Sequence, residues 1–290
     1  MTSSPPSPGG FRRASPADVE RLAALCARAS ADPPDADELR LALGDDEQPA
    51  WVAGDCRTGA VVVTRGGDTG YVRLLVVDPL ARRNGLGSAL LAAAERELAG
   101  SAAIEAGGDA PFYLHPGVPV DDLAAMCLFE KHRFQRAGLR LNLAVDPRSV
   151  PATDTSAVRP AQSADGPAVR RFCAAHWPHY GAEAGRALAR GTLLLRTDAT
   201  GELTGLCAHS VSRKGWLGPV AVRPDLVGHG HGTALVTAAV EQLAAAGHTG
   251  DVVVEWVGPL RPYARLGARV HRTYAAYRKE LAGAPAPSDP

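Results

Sequence analysis

The chain has 290 residues, 46% of them apolar, with 31 Lys+Arg against 31 Asp+Glu and therefore a formal net charge of zero. That length and apolar fraction supply a large core and favour two domains over one, while the balanced charge leaves no basic field to draw in nucleic acid or an anionic membrane surface. The five cysteines are widely spaced with no Cys-x-x-Cys pair, which argues against a disulfide framework and a zinc knuckle and reads as reduced core thiols.

The opening MTSSPPSPGG has neither a basic start nor an apolar run, and no segment approaches the ~20 apolar residues of a membrane span. The chain is expected to stay in the cytoplasm, with residues 1–10 and 283–290 disordered. RRASPADVERLAALCA then introduces a strand and a helix. A second helix and further strands follow, ending in the apolar strand VRLLVVDP. The glycine pair Gly85 and Gly87 opens the helical run SALLAAAEREL. PFYLHPG is expected as a strand, DDLAAMCLFEKH as a helix and AGLRLNLAV as a strand. Residues 146–157, DPRSVPATDTSA, carry no periodicity and read as a linker.

Beyond the linker the pattern recurs. Pro79, Gly85 and Gly87 are matched by Pro224, Gly230 and Gly232 at one spacing of 145 residues, and Asp18 and Cys26 by Asp165 and Cys173 at 147. A whole domain is duplicated, at 11–145 and 158–282. In the second copy DVVVEWVG is expected as a strand, PLRPYARLG as a helix and RVHRTYAAYRKEL as closing strand. Helices alternating with a mostly antiparallel sheet predict an α/β (α+β) fold: two tandem domains, each a mixed sheet flanked by helices, and not a doubly wound nucleotide fold.

The stretch VGHGHG, Val227 to Gly232, places three glycines at a helix N-terminus, where backbone N–H groups favour an anion. A P-loop needs a Gly-Lys-Ser/Thr ending that neither copy has. A dinucleotide loop needs a third glycine where Leu90 and Leu235 stand. His229 and His231 supply only two ligands, short of the three or four a zinc site requires, so no metal is expected.

What remains, Val77-Asp78-Pro79-Leu80-Ala81-Arg82-Arg83-Asn84-Gly85-Leu86-Gly87-Ser88, resembles the signature loop of the GNAT superfamily of acyl-CoA-dependent N-acetyltransferases. The resemblance covers nearly the whole chain as a tandem arrangement. It implies acetyl-CoA, or another acyl-CoA, as cofactor. Leu75 and Val77 would lie along pantetheine, and Arg82, Arg83, Asn84, Gly85, Leu86, Gly87 and Ser88 would ring the phosphates. In the second copy Val220 and Val222 would take the strand role, and Gly228, His229, Gly230, His231, Gly232 and Thr233 the loop. Val227 stands where the first copy has Arg82, and His229 and His231 are expected to substitute in part for that guanidinium.

The family's Tyr-x-x-x-Gly occurs in the second copy as Tyr263 to Gly267, whereas the first has Phe129 to Arg133. The family's tyrosine protonates the leaving thiolate, which a phenyl ring cannot do. The resemblance therefore places the chemistry, acyl transfer to a primary amine of a small molecule, in the second domain. Tyr263 is the expected acid. Glu255, at the end of an apolar strand, is the expected base, with His209 as its rival and a solvent-facing carboxylate as the plain alternative. His115 marks either a relic pocket or a structural strand end. His176, Trp177, His179 and Tyr180 either shape the acceptor pocket or pack helix on helix. A monomer or homodimer is expected. The competing reading is a non-catalytic acyl-CoA-binding or sensing protein with two degenerate domains.

Overall fold

A computed structural model describes residues 9–44 and 48–281; apart from Gly9 and Gly10, the termini expected to be disordered lie outside the described residues. The chain divides into two compact units, one of residues 1–140 with 274–290 and the other of 141–273.

The first unit begins with β1 (Arg12–Arg13), α1 (Pro16–Ala29) and α2 (Ala36–Leu43). Ser15 and Asp18 close a capping box on α1, as Asp35 and Glu38 do on α2, satisfying N–H groups that helix starts leave open. Arg12 grips Asp18 with two bonds of 2.6 and 2.8 Å. Burial works against the ionised Asp18, but the bonds from Arg12 and Ser15 outweigh it and hold its carboxyl down at about 2. The strands β2 (Trp51–Gly54), β3 (Gly59–Gly66) and β4 (Thr69–Val77) pair antiparallel in sequence, and β4 then pairs parallel with β5 (Ala103–Ala106) after the crossover helix α3 (Leu86–Glu97). The expected strand over 111–117 does not form. Gly107 and Gly108 both take positive φ, +68° and +74°, and turn the chain out of β5. The segment stays irregular until the short β6 (Val118–Pro119). Next come α4 (Leu123–Lys131) and β7 (Gln135–Val145). The core joins α3 to the sheet through Leu90, Leu91, Val61, Val63 and Ile104.

The second unit repeats the plan with β8 (Val158–Pro160), α5 (Gly166–His176), α6 (Gly181–Arg190), β9 (Leu193–Thr197), β10 (Leu203–His209), β11 (Trp216–Val222), α7 (His231–Ala245), β12 (Val252–Val254), α8 (Leu260–Ala264) and β13 (Arg269–Glu280). Arg159 grips Asp165 at 2.8 and 2.7 Å, reproducing the Arg12–Asp18 lock of the first copy. Strands β8, β9, β10 and β11 pair antiparallel in sequence, and β11 pairs parallel with β12.

The closing strands are exchanged between the repeats. The second half of β7 pairs with β12, Val145 opposite Val252 and Leu143 opposite Val254, inside the second unit. The second half of β13 pairs with β5, Arg278 opposite Glu105, inside the first.

Cys26, Cys56, Cys173 and Cys207 are buried, as core cysteines should be; Cys127 departs from that reading, being exposed on α4. No helix among the described residues is long and apolar enough to cross a membrane.

Candidate active site

In each unit a parallel strand pair parts company midway. In the second unit β12 follows β11 only through Trp216 and Leu217, and its last bond runs from the Glu255 N–H to the Leu217 carbonyl at 3.2 Å. The β10–β11 register also slips at Gly218 and Pro219, because Cys207 lies opposite Val220 but His209 opposite Leu217. Beyond this bulge the Arg223 N–H bonds back to Thr204 O at 2.9 Å. Backbone groups alternate sides along a strand, so those of Val220 and Val222 face away from β10, where β12 has departed. Leu75 and Val77 are placed the same way in the first unit, since the Asp78 N–H bonds to Thr58 O at 2.8 Å.

The carbonyls at the two equivalent positions are each held by a side chain. Arg82 of the first loop folds back onto Val77 O at 3.3 Å and Ala29 O at 2.9 Å. In the second unit the Trp177 indole donates to Val222 O at 3.0 Å. Tyr180 stacks on Trp177 with centroids 5.8 Å apart, and His179 leans on Tyr180 at 4.1 Å. These aromatics, left open between pocket and packing by the sequence, are thereby fixed to β11.

Both loops repeat one backbone shape. Arg83 and Gly85 take φ of +68° and +82°; Gly228 and Gly230 take +92° and +85°. Left-handed residues two apart turn successive N–H groups into one concavity. Gly85 and Gly230 are the N-caps of α3 and α7, and neither helix start has a side-chain cap. The N–H groups of Leu86, Gly87 and Ser88, and of His231, Gly232 and Thr233, therefore have no helical carbonyl to bond and suit an anion such as a pyrophosphate. A Cβ at Gly228 or Gly230 would meet nothing within 4 Å, so glycine serves the conformation there, not the space.

Val227 and His229 are exposed. His231 points to β9, where its Nδ1 lies 3.1 Å from Arg196 Nη1. Burial and then the Arg196 charge lower the His231 pKa, so the ring is neutral and accepts from the guanidinium. Arg196 also donates to Thr204 Oγ1 at 3.2 Å and, with His231 and Ser156, bounds a groove of about 560 Å³. The fixed cation beside the start of α7 is thus Arg196, which the sequence reading missed because 35 residues separate it from His231.

Glu255 is buried at the point of divergence. Its Oε2 accepts from Ser212 Oγ at 3.5 Å, and its Cγ fills the space a Gly218 side chain would need, 2.8 Å from the ideal Cβ. Tyr263 sits in the hydrophobic core beside Cys207 and Leu217. Burial first, then the neighbouring Cys207 and Tyr180, raise its pKa, so the phenol keeps its proton. Gly267 takes φ +71° to end α8, and in the first copy Arg133 takes +66° at the matching place. Phe129, at the position of Tyr263, packs edge-on to Phe134 and stacks on Tyr277. His209 bonds Gln242 Oε1 at 3.3 Å on α7 and lies 3.2 Å from Ser210 Oγ. Burial, opposed in part by Gln242, lowers its pKa.

Sequence reasoning also passed over Glu183, one turn beyond Tyr180. It is 6% exposed, and burial alone pushes its carboxyl up to about 7. A contrast between the copies was equally overlooked. The residue 145 positions before Gly218 is Arg73, fully buried in the first unit. Its Nε donates to Asp109 Oδ2 at 2.5 Å, its Nη2 to Gln48 Oε1 at 2.6 Å, and its Nη1 to Ala42 O. Thr64 adds a bond to Asp109 at 2.6 Å. Where the second unit offers a glycine under a carboxylate, the first is plugged by an ion pair.

A duplicated sheet with splayed strands, each followed by an uncapped glycine-looped helix, defines an acetyltransferase fold. The profile of the acetyltransferase (GNAT) family matches residues 17–134 and 164–266, and the chain belongs to that family as a tandem N-acetyltransferase. It is 33% identical over 282 residues to a mycothiol acetyltransferase of Clavibacter sepedonicus, spanning 84% of this chain and 86% of the relative. Among solved structures it resembles a GCN5-related glucosamine N-acetyltransferase region of a fungal multi-domain β-N-acetylglucosaminidase, with a TM-score of 0.74 at 21% identity over 93% of this chain and 38% of that one. It also resembles a tandem GNAT protein from the clavulanic acid biosynthesis pathway, with a TM-score of 0.66 at 19% identity over 93% and 96% of the two chains. Among the described residues no three His, Cys, Asp or Glu side chains gather as a metal site.

Proposed function

We propose that the second unit transfers an acetyl or other short acyl group from acyl-CoA to a primary amine of a small molecule, and that the first holds coenzyme without turnover. The observation that carries this reading is the contrast at one sheet position: Gly218 beneath Glu255 in the second unit, Arg73 locked to Asp109 in the first. The functional modules are the repeats 11–145 and 158–282, joined by 146–157. They work in the cytoplasm, in a monomer or a homodimer.

Bound acetyl-CoA supplies the activated acyl carbon as a thioester. The N–H groups of Leu86 to Ser88 and His231 to Thr233 bind its phosphates, and Arg196 adds a fixed positive charge beside the second loop. The outward backbone groups of Val220 and Val222 align the pantetheine arm, as Leu75 and Val77 do in the first unit. Glu255, held by Ser212, takes the proton from the acceptor ammonium. Tyr263, still protonated, returns one to the departing sulfur. The aromatic group of Trp177, His179 and Tyr180 closes the acceptor side.

Amines of the kind that mycothiol acetyltransferases act on head the panel of acceptors, and glucosamine follows. The test is thiol release from acetyl-CoA with that panel. Tyr263→Phe should lower kcat by about 100-fold or more, the usual worth of a positioned acid, with coenzyme affinity intact. If Arg82→Ala abolished turnover while Tyr263→Phe did not, the roles of the two units would be reversed.

A further inference from the structure

Strand β7 places Asn142 in the second unit, one residue before the Leu143 that pairs with Val254; Glu255 follows Val254 directly at the end of β12, which sets it across from Asn142. Alternation along both strands turns Asn142 and Glu255 to the same face, with backbones about 5 Å apart. Asn142 is wholly buried. Its Oδ1 accepts the Trp256 N–H at 2.9 Å. A backbone N–H can only donate, so this bond fixes which end of the amide is oxygen. The Nδ2 end has no hydrogen-bond partner among the described residues.

A buried donor left unpaired costs about 1–3 kcal/mol. This one lies on the strand next to the buried Glu255 carboxylate. Apolar side chains occupy the other face of these strands, where Leu143, Val145, Val252 and Val254 enter the core.

We propose that Asn142 is a specificity-determining residue that donates its Nδ2 hydrogen to an oxygen of the acceptor substrate. The inference rests on the acyltransferase reading above. It selects amines that carry a carbonyl or hydroxyl oxygen a few bonds from the nitrogen, since Glu255 faces the amine and Asn142 is its neighbour. A site built to bond such an oxygen rejects analogues that lack it, because the buried donor is then left unpaired.

The experiment compares glycinamide with propylamine, amines of similar size with and without the oxygen. The wild-type chain should favour glycinamide in kcat/KM by at least tenfold. Asn142→Asp keeps an oxygen for the Trp256 N–H and removes the donor. It should abolish the preference, chiefly through KM for glycinamide, with the calorimetric acetyl-CoA affinity unchanged. In the wild-type protein, with side-chain amides labelled with nitrogen-15, the Asn142 signal should shift on adding glycinamide and not propylamine. That measurement stands even if the variant fails to fold. Equal use of both amines by the wild type, an unchanged preference in Asn142→Asp, or an unmoved amide signal would each overturn the inference while leaving the acyltransferase reading in place. A wild-type chain that binds acetyl-CoA but acetylates neither these amines nor any of the panel overturns both.

Discussion

Replacing Arg73 with Met tests the plug in the first unit directly. The guanidinium is fully buried and donates to Asp109, Gln48 and the Ala42 carbonyl. Its loss leaves the Asp109 carboxylate uncompensated in the interior, with only Thr64 still donating to it. Breaking one side of a buried pair costs about 3–5 kcal/mol, whereas replacing both sides with apolar groups is often neutral. At about 2–4 °C per kcal/mol for a unit of this size, the first unit should melt roughly 6–20 °C lower. Arg73→Met with Asp109→Leu should recover most of that. Scanning calorimetry reads both, and thiol release per folded molecule should not change, because the pair lies outside the unit proposed to carry the chemistry. A single-variant loss below about 1 kcal/mol, or a double variant no better than the single, would refute the argument.

Gly218→Ala would set a methyl 2.8 Å from Glu255 Cγ and 2.9 Å from Oε1. Turnover should fall at least tenfold while acetyl-CoA affinity holds, and unchanged kcat would separate Glu255 from the chemistry. Arg196→Ala removes a charge beside the α7 start and should weaken coenzyme binding to the second unit about tenfold, the scale of a charge-assisted bond; a calorimetric titration with two unaltered sites would dismiss that role. Glu183 rises from an ordinary 4.5 to about 7 on folding, so the folded chain holds a proton that the unfolded chain has lost. Its contribution to stability therefore declines as pH climbs from 4.5 to 7. Glu183→Gln should match the wild type near pH 4 and exceed it by up to ~3 kcal/mol at pH 8, at 1.36 kcal/mol per pKa unit. A difference that did not vary with pH in urea titrations would contradict it.

The glycine loops were legible in the sequence because their signal is local: left-handed glycines followed at once by helical periodicity. The duplication was equally plain, down to the match of Asp18 with Asp165, although the arginines that lock them, Arg12 and Arg159, came only from the structure. PFYLHPG misled because its apolar residues resemble a strand, while the two glycines that deflect it stand just upstream, in Gly107 and Gly108. Arg196, Glu183 and Asn142 were invisible, and Trp177 stayed open between pocket and packing, for another reason. Each draws its significance from a partner or surroundings far along the chain, as with the 45 residues between Trp177 and Val222 or the 114 between Asn142 and Trp256. The Arg73–Gly218 contrast was on the page, one repeat length apart, but only burial gives it meaning.

The exchanged closing strands give the gene a constraint that neither glycine loop imposes. A chain severed in the 146–157 stretch would yield two fragments that each carry away the other's final strand, so neither half is a complete domain by itself. After duplication, neither repeat could be deleted alone, because the last strand of each had become part of the other unit's sheet. Such an arrangement makes each copy obligatory to the other.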